Sequence, residues 1–355
     1  FPLPGGGQGV PSRAEHWLGK EAFDAAFPVE FWREVVDRVA AEVPDTLLIA
    51  EAFWLMEGYF VRTLGMHRVY NSAFMNMLKR EDNGKYRQVL GNILEFEPGI
   101  LQRFVNFMNN PDEDTAVAQF GKADKYFGVA VMLATLPGLP MFGHGQIEGF
   151  EEKYGMEYRR AYYDEVVDEA FVRHHEAQIF PLLRRRHLFS GAENFELFDF
   201  FQEGQVNDNV FAYSNGVGDE RALVLYHNHY GDCEGWLHQG LPRQRPDSDV
   251  PRANSLAAAL GIRAGERWYC RFREHRAGLE YLRTGDELAA NGLFFSLGPY
   301  QYRVCIDFVA LYDEDGAWGE LYRRIGHPPV ADLDRDLRKI RFRPVGDAFR
   351  ALFEV

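Results

Sequence analysis

Between Pro28 and Val43, apolar residues fall at helical spacing (Phe31, Val35, Val36, Val39, Ala40) with charges between them, and Pro28 suits a first turn. Pro44-Asp45 ends that pattern. Thr46 to Ala50 is then a short, nearly continuous apolar run ending on Glu51, the pattern of a parallel strand buried on both faces. A helix-like region from Trp54 to Leu64 leads to a strand candidate, His67 to Phe74. A helical stretch from Tyr86 to Phe96, continuing near Ile100, leads to a strand from Arg103 to Met108 that ends at Asn109-Asn110-Pro111-Asp112. A long helix, about Ala123 to Ala134, precedes a strand at Leu139 to Gly143, and a helix from Tyr163 to Leu183 closes the series.

Short apolar strands alternating with helices predict a parallel α/β architecture, here a partial (β/α)₈ barrel. Polar residues stand where each strand ends (Glu51, Asn71, Asp112, then His144 with Gln146), and in such barrels that rim carries the chemistry. Four strands are visible, so a closed barrel needs four more upstream.

The texture changes near Ser190. Runs rich in aromatic and β-branched residues follow: Glu196 to Phe201, Val210 to Ser214, Arg221 to His227, Trp268 to Phe272, Leu293 to Leu297 and Tyr302 to Leu311. Turn residues separate them, among them Asn215-Gly216, Gly218-Asp219 and Tyr230-Gly231-Asp232, which predicts an antiparallel β-sandwich. The polar insert His238 to Asn254, stiffened by Pro242, Pro246 and Pro251, reads as an exposed loop. The expected division is residues 1–190 for the barrel portion, 191–315 for the β domain and 316–355 for a helical or irregular tail.

Composition narrows the function. A formal net charge of −14 argues against a nucleic-acid partner, since phosphate binding needs clustered cations. The one basic run, Arg184-Arg185-Arg186-His187, reads as a helix C-terminus. Aromatics are 15% of the chain, enough for a large aromatic core and for stacking flat ligands such as sugar rings. Cys233, Cys270 and Cys305 have no metal-site spacing, and their odd number fits a reducing, cytoplasmic compartment, although any targeting segment could precede a chain that opens without Met. The longest apolar stretch, Val129 to Phe142, is interrupted by Pro137, Gly138 and Pro140 and is too short for a membrane span. His174-His175 and the pair His227/His229 read as surface or strand residues, not metal ligands.

Three segments carry candidate chemistry. In Leu48-Ile49-Ala50-Glu51-Ala52-Phe53-Trp54 a carboxylate flanked by Ala, Phe and Trp would be poorly solvated, which raises a carboxyl pKa toward what a general acid needs; the alternative is a strand-end Glu paired with an Arg. In Asn109-Asn110-Pro111-Asp112-Glu113-Asp114, Asp112 is either a second rim carboxylate or part of an N-cap for the next helix. The third, Gly138-Leu139-Pro140 through His144-Gly145-Gln146-Ile147-Glu148-Gly149, is a turn, a short strand and a glycine-rich rim loop.

Taken in this order, the three segments resemble those after strands five, seven and eight of the α-amylase superfamily (glycoside hydrolase family 13). Asn209 to Tyr213 followed by Arg221 to Asn228 resembles the first hairpin of that family's C-terminal β domain. The resemblance implies Glu51 as general acid/base and Asp112 as the carboxylate that stabilises an oxocarbenium-like transition state, with Trp54, Asn110, His144 and Gln146 as substrate-binding residues. The implied substrate is an α-glucan or oligosaccharide. No cofactor is implied in this chain, calcium ligands lying mostly in the family's other half. Two departures stand out. The family's nucleophile is an Asp in a "GxRxD" segment, and nothing before Glu51 fits: Asp24 and Asp37 lie in helical sequence and Asp45 precedes the strand. Pro111 replaces the usual His, as in the "NTPD" version of the maltosyltransferase branch. The chain is therefore expected to be an inactive portion of a longer glycosidase or transglycosylase whose missing N-terminal half is its partner. The alternative is a non-catalytic amylase-like scaffold module.

Overall fold

The computed structural model describes residues 19–52, 57–153, 155 and 159–353, which fall into two compact units meeting in sequence at Tyr70/Asn71. The first unit contains helices α1 (Lys20–Ala26) and α2 (Phe31–Glu42), strand β1 (Ile49–Ala50), a π-helical turn (Tyr59–Thr63) and strand β2 (Arg68–Asn71), whose last residue opens the second unit. Glu30 caps α2 by accepting from the Trp32 N–H. β1 and β2 are parallel, Ile49 opposite Arg68 and Ala50 opposite Val69. The Arg68 N–H donates to the Leu48 carbonyl (3.0 Å) and the Leu48 N–H to His67 Nδ1 (3.0 Å).

β1 departs from expectation. It is two residues long, and one face is open, with Leu47 and Ile49 exposed by 51% and 46% while Ala50 is buried. The sequence anticipated a strand covered on both sides.

The second unit begins with α3 (Ser72–Arg80), where the sequence had extended a strand to Phe74; Phe74, Met75 and Leu78 form that helix's buried face. α4 (Asn83–Phe96), a 3₁₀ turn (Pro98–Arg103) and β3 (Phe104–Phe107) follow, then α5 (Ala116–Phe120), α6 (Asp124–Thr135) and β4 (Leu139–Met141). β3 and β4 are parallel, Val105 opposite Leu139 and Phe107 opposite Met141. α6 is buried all round from Tyr126 to Thr135, as a helix apolar on every side must be. The single helix expected over 163–183 is interrupted. Asp168 starts α7 (Glu169–His174) by accepting from the Phe171 N–H, a π turn (His175–Ile179) follows, and Pro181 sits in the first turn of α8 (Phe180–Arg184), before α9 (Arg186–Phe189). His175 is a fully buried helical residue, not a surface or strand one.

From Glu196 the strands are antiparallel: β5 (Glu196–Gln202), β6 (Gln205–Val206), β7 (Val210–Val217), β8 (Glu220–His227), β9 (Cys233–Gly240), β10 (Trp268–Glu274), β11 (Glu280–Thr284), β12 (Leu293–Leu297) and β13 (Tyr302–Tyr312), with α10 (Leu256–Ala259) and α11 (Gly285–Asn291) between them. They form one continuous sheet in the order β11-β10-β13-β8-β7-β5-β9-β12, with β6 on β5, where the sequence predicted two separate sheets. One buried cluster draws Phe198, Leu225, Leu237, Phe272, Leu297 and Phe308 from strands near both ends of that order, so the sheet curls over on itself and supplies both layers. Cys233, Cys270 and Cys305 lie in the same cluster as free, buried thiols. Burial pushes the Cys233 thiol up to about 11 and Cys270 to about 12.

Two details of this sheet correct the sequence pattern. Asn215-Gly216 is not a turn but part of β7, the Asn215 amide donating to the Phe189 and Gly191 carbonyls; the turn falls at Gly218-Asp219. The 238–254 insert begins as strand and is then tied down. Buried Arg243 donates to the carbonyls of Ala192 (2.5 Å), Glu193 (2.6 Å) and Phe195 (3.1 Å).

Along a seam within the second unit, the helices preceding Ser190 lock onto the sheet. Arg87 of α4, buried, pairs with Asp199 (2.6 Å) and Asp208 (3.2 Å) and donates to the Phe198 and Val210 carbonyls. Asn228 donates to Asn83 Oδ1 (2.7 Å) and the Leu78 carbonyl (3.1 Å). A Cβ on Gly128 of α6 would overlap the Tyr226 ring, so only glycine lets α6 lie this close to β8. The basic run joins the seam: Arg185 pairs with Glu220 and Asp307 (2.8 Å each), and Arg186 donates to the Ala134 and Gly138 carbonyls. Helices α12 (Ala317–Ile325), α13 (Leu333–Arg341) and α14 (Arg343–Phe353) make up the tail. Trp318, Leu321, Leu333 and Leu337 from α12 and α13 pack with Leu282 of β11.

Candidate active site

Glu51 belongs to the first unit; Asp112, Asn110, His144 and Gln146 belong to the second. Trp54 and Phe53 lie outside the described residues. Glu51 directly follows β1 and is exposed, between buried Ala50 and buried Ala52. The poorly solvated carboxylate anticipated from its apolar neighbours is not found, because the strand that carries it has one face open.

Asp112 sits just beyond β3. Buried Asn71 donates to Asn106 Oδ1 (2.8 Å), and Asn106 in turn donates to the Pro137 carbonyl (3.1 Å), fixing β3 from below. Gly138 has φ +101°, and a Cβ there would overlap the Phe104 carbonyl oxygen, so the turn before β4 requires glycine. Above β3 the chain turns over Pro111. Asn110 Oδ1 accepts the N–H groups of both Asp112 and Glu113 (3.0 Å each), an Asx turn. The helix that follows is capped by Thr115, whose hydroxyl accepts from the Ala118 N–H (3.2 Å). Neither Asp112 nor Asp114 serves as the cap. The Asp112 carboxylate is exposed and has no hydrogen-bond or ion-pair partner among the described residues, while its carbonyl accepts from Lys153 Nζ (2.7 Å).

Asn110 and His144 come together. With Asn109, Pro111, Glu113, Thr115, Glu152 and Lys153 they line a niche of about 40 Å³, room for water-sized groups and not for a sugar ring. Asn109, one of the lining residues, has a buried Oδ1 with no hydrogen-bond partner among the described residues. Gln146 takes a different part from the one its motif suggested. It is 1% exposed; its Oε1 accepts from the Gly143 N–H (3.0 Å) and its Nε2 points at Met108 Sδ (3.4 Å), so it shapes the rim loop from inside. Under that loop, Tyr126 Oη lies 3.0 Å from both the Gln146 carbonyl and His175 Nε2, and His175 Nδ1 lies 2.9 Å from the Phe171 carbonyl. Burial holds the His175 pKa below the ordinary value, so the ring is neutral at pH 7.

Sequence reasoning overlooked Asn109, Lys153 and Glu152. Only the doubled Asn109-Asn110 pointed toward the first, and Lys153 reaches Asp112 from 41 residues away. Glu152 accepts the N–H groups of Tyr162 (2.6 Å) and Tyr163 (2.9 Å), and Glu165 those of Glu151 (2.7 Å) and Glu152 (3.0 Å), a reciprocal pinning of the segment beside the niche. Among the described residues no group of three His, Cys, Asp or Glu gathers to hold a metal, and no helix is long and apolar enough to cross a membrane.

Parallel strands with acids and amides beyond their C-terminal ends, followed by a curled antiparallel sheet, make up the α-amylase-type fold. The match extends to individual solved structures: the α-amylase from Geobacillus thermoleovorans complexed with acarbose (TM-score 0.53, 13% identity, 79% of this chain and 57% of that one) and the α-amylase from H. orenii (0.51, 14%, 81% and 58%). A debranching enzyme from Nostoc punctiforme is similar to the same degree (0.51, 13%, 80% and 55%). At such identities the likeness is one of fold, and the chain spans a little over half the length of these structures. No protein-family model and no curated protein matches the sequence.

Proposed function

We propose that the chain is the C-terminal portion of a retaining glycosidase or transglycosylase acting on α-linked glucans, with Glu51 as general acid/base and Asp112 as the transition-state-stabilising carboxylate. The observation that carries this is the state of Asp112. The turn holding it is built by Asn110 and Thr115, so among the described residues its carboxylate is spent on no structural bond and stays exposed beyond the end of β3. On this reading residues 1–190 are part of a (β/α)₈ barrel, 191–315 the β domain and 316–355 a tail on it. Asn110 and His144 meet the sugar, with Trp54 as a stacking wall, and Gln146 acts by shaping the rim loop. The reading asks no cofactor of this chain and assigns calcium, where the parent uses it, to the other half.

A two-step retaining reaction needs a nucleophile, and the reading places it on a strand in the other half of the parent protein. The chain alone should therefore leave maltooligosaccharides intact. Co-expression with the upstream segment should restore turnover, which Glu51→Gln should lower by about 10²–10⁴-fold and Asp112→Asn by about 10²–10³-fold. Turnover unaffected by both substitutions would remove the assignment. An upstream fourth strand without an Asp at its end would favour the scaffold alternative instead.

A further inference from the structure

We propose that the outer face of β5, β9 and β12 is a second binding site, a platform for a neutral α-linked glucan chain. The ligand class rests on the glucan reading above; the site rests on its own geometry. Phe201, Trp236 and Phe294 stand opposite one another in the strand register, making an aromatic row across three neighbouring strands. The alternation of β9 and β12 sends Cys233, Leu237, Leu293 and Leu297 into the core and turns Trp236 and Phe294 outward. Trp236 is 44% exposed and Phe294 48%, their ring centroids 5.3 Å apart and their planes tilted by 59°, so the pair stays together while about half of each residue is open to solvent. Cross-strand aromatic pairs also stabilise sheets, but rings serving only that end need not leave about half their surface in water.

The surroundings select the ligand. The row lies in a groove of about 300 Å³ that also presents Gln202, Glu203 and Glu234, and no Lys or Arg lines it. Aromatic faces beside carboxylate and amide acceptors suit a pyranose, whose C–H face stacks while its hydroxyls donate to the edge. The same carboxylates repel phosphates and other anions. Three rings in line across adjacent strands favour a chain over a single sugar.

Affinity electrophoresis through amylopectin-containing gels, together with maltoheptaose titration of the whole chain, tests this. Saturable binding is expected, weakened at least tenfold by Trp236→Ala and by Phe294→Ala, and absent with cellohexaose. Both platform variants should keep the parental melting curve, since each residue lies at the surface. Binding within twofold of the parent in both variants, or no glucan binding at all, overturns the platform. So does sedimentation showing a dimer that Trp236→Ala dissociates without any glucan binding. Glucan binding at the row by a reconstituted protein that cleaves no glucan would sink the catalytic reading and leave the platform standing.

Discussion

Leu47 and Ile49 of the first unit and Tyr213 and Tyr226 of the seam are all apolar-bodied strand or strand-flanking residues, yet the first two are about half exposed and the last two fully buried. The seam closes with many of its buried polar groups meeting a partner, several of them across it. Tyr213 Oη lies 2.7 Å from Thr135 Oγ1, Tyr226 donates to Asn228 Oδ1 (2.9 Å), and Arg87 collects two carboxylates and two carbonyls. Burial alone would raise the Glu81 carboxyl, but hydrogen bonds from Lys125, Tyr300 and His229 outweigh it and hold it below the usual range. Beside β1, the Leu48 N–H donates to His67 Nδ1 and the Leu48 carbonyl accepts from the Arg68 N–H, while Leu47 and Ile49 stay open. The lesson is that apolar pattern alone predicts a buried strand, whereas burial also requires a surface able to satisfy what goes under with it.

Substitutions can break or sharpen this contrast. Arg87→Met, which strips four acceptors of one buried guanidinium, should cost about 3 kcal/mol in urea unfolding. A cost under 1 kcal/mol would mean the seam is held by packing alone. Gly128→Ala should cost about 2 kcal/mol, because the added methyl displaces the Tyr226 ring from α6.

A pH effect should be smaller. Burial lowers the pKa values of His174, His175 and His227, so the unfolded chain binds more protons than the folded one once pH drops. Stability should be level above about pH 6.5, the unfolded value, and fall as pH descends toward the depressed folded values. Unfolding followed from pH 8 to 5 checks this, and His175→Gln should flatten part of the slope. The least effect is expected in the first unit. Leu47→Gln and Ile49→Thr should each change stability by no more than about 0.5 kcal/mol while reducing self-association in light scattering.

What the sequence revealed follows the range of the forces involved. Leu293–Leu297 and the helices 31–42 and 124–135 are legible because local periodicity and punctuation define them. The Asn110-Pro111-Asp112 turn is legible as a motif, although the division of labour within it, Asn110 as acceptor and Asp112 left open, needs three dimensions. α3 was hidden because it starts directly after β2 without Gly or Pro, so one apolar run covers both. β9 was hidden by Gly235 and Gly240 and by Trp236 on its outer face. Asn215-Gly216 misled for the opposite reason: a strong turn dipeptide is overridden when its amide finds carbonyls 24 and 26 residues away. The seam was invisible, since Arg87 meets partners 111 to 123 positions distant.

The three cysteines turn the curled sheet into its own gauge. Thiols sealed in hydrocarbon and kept protonated are inert toward alkylating reagents until the strands around them part. The labelling rate of Cys270 and Cys305 thus reads how often their strands open, with Cys233, at the wall of the outer groove, as the reference.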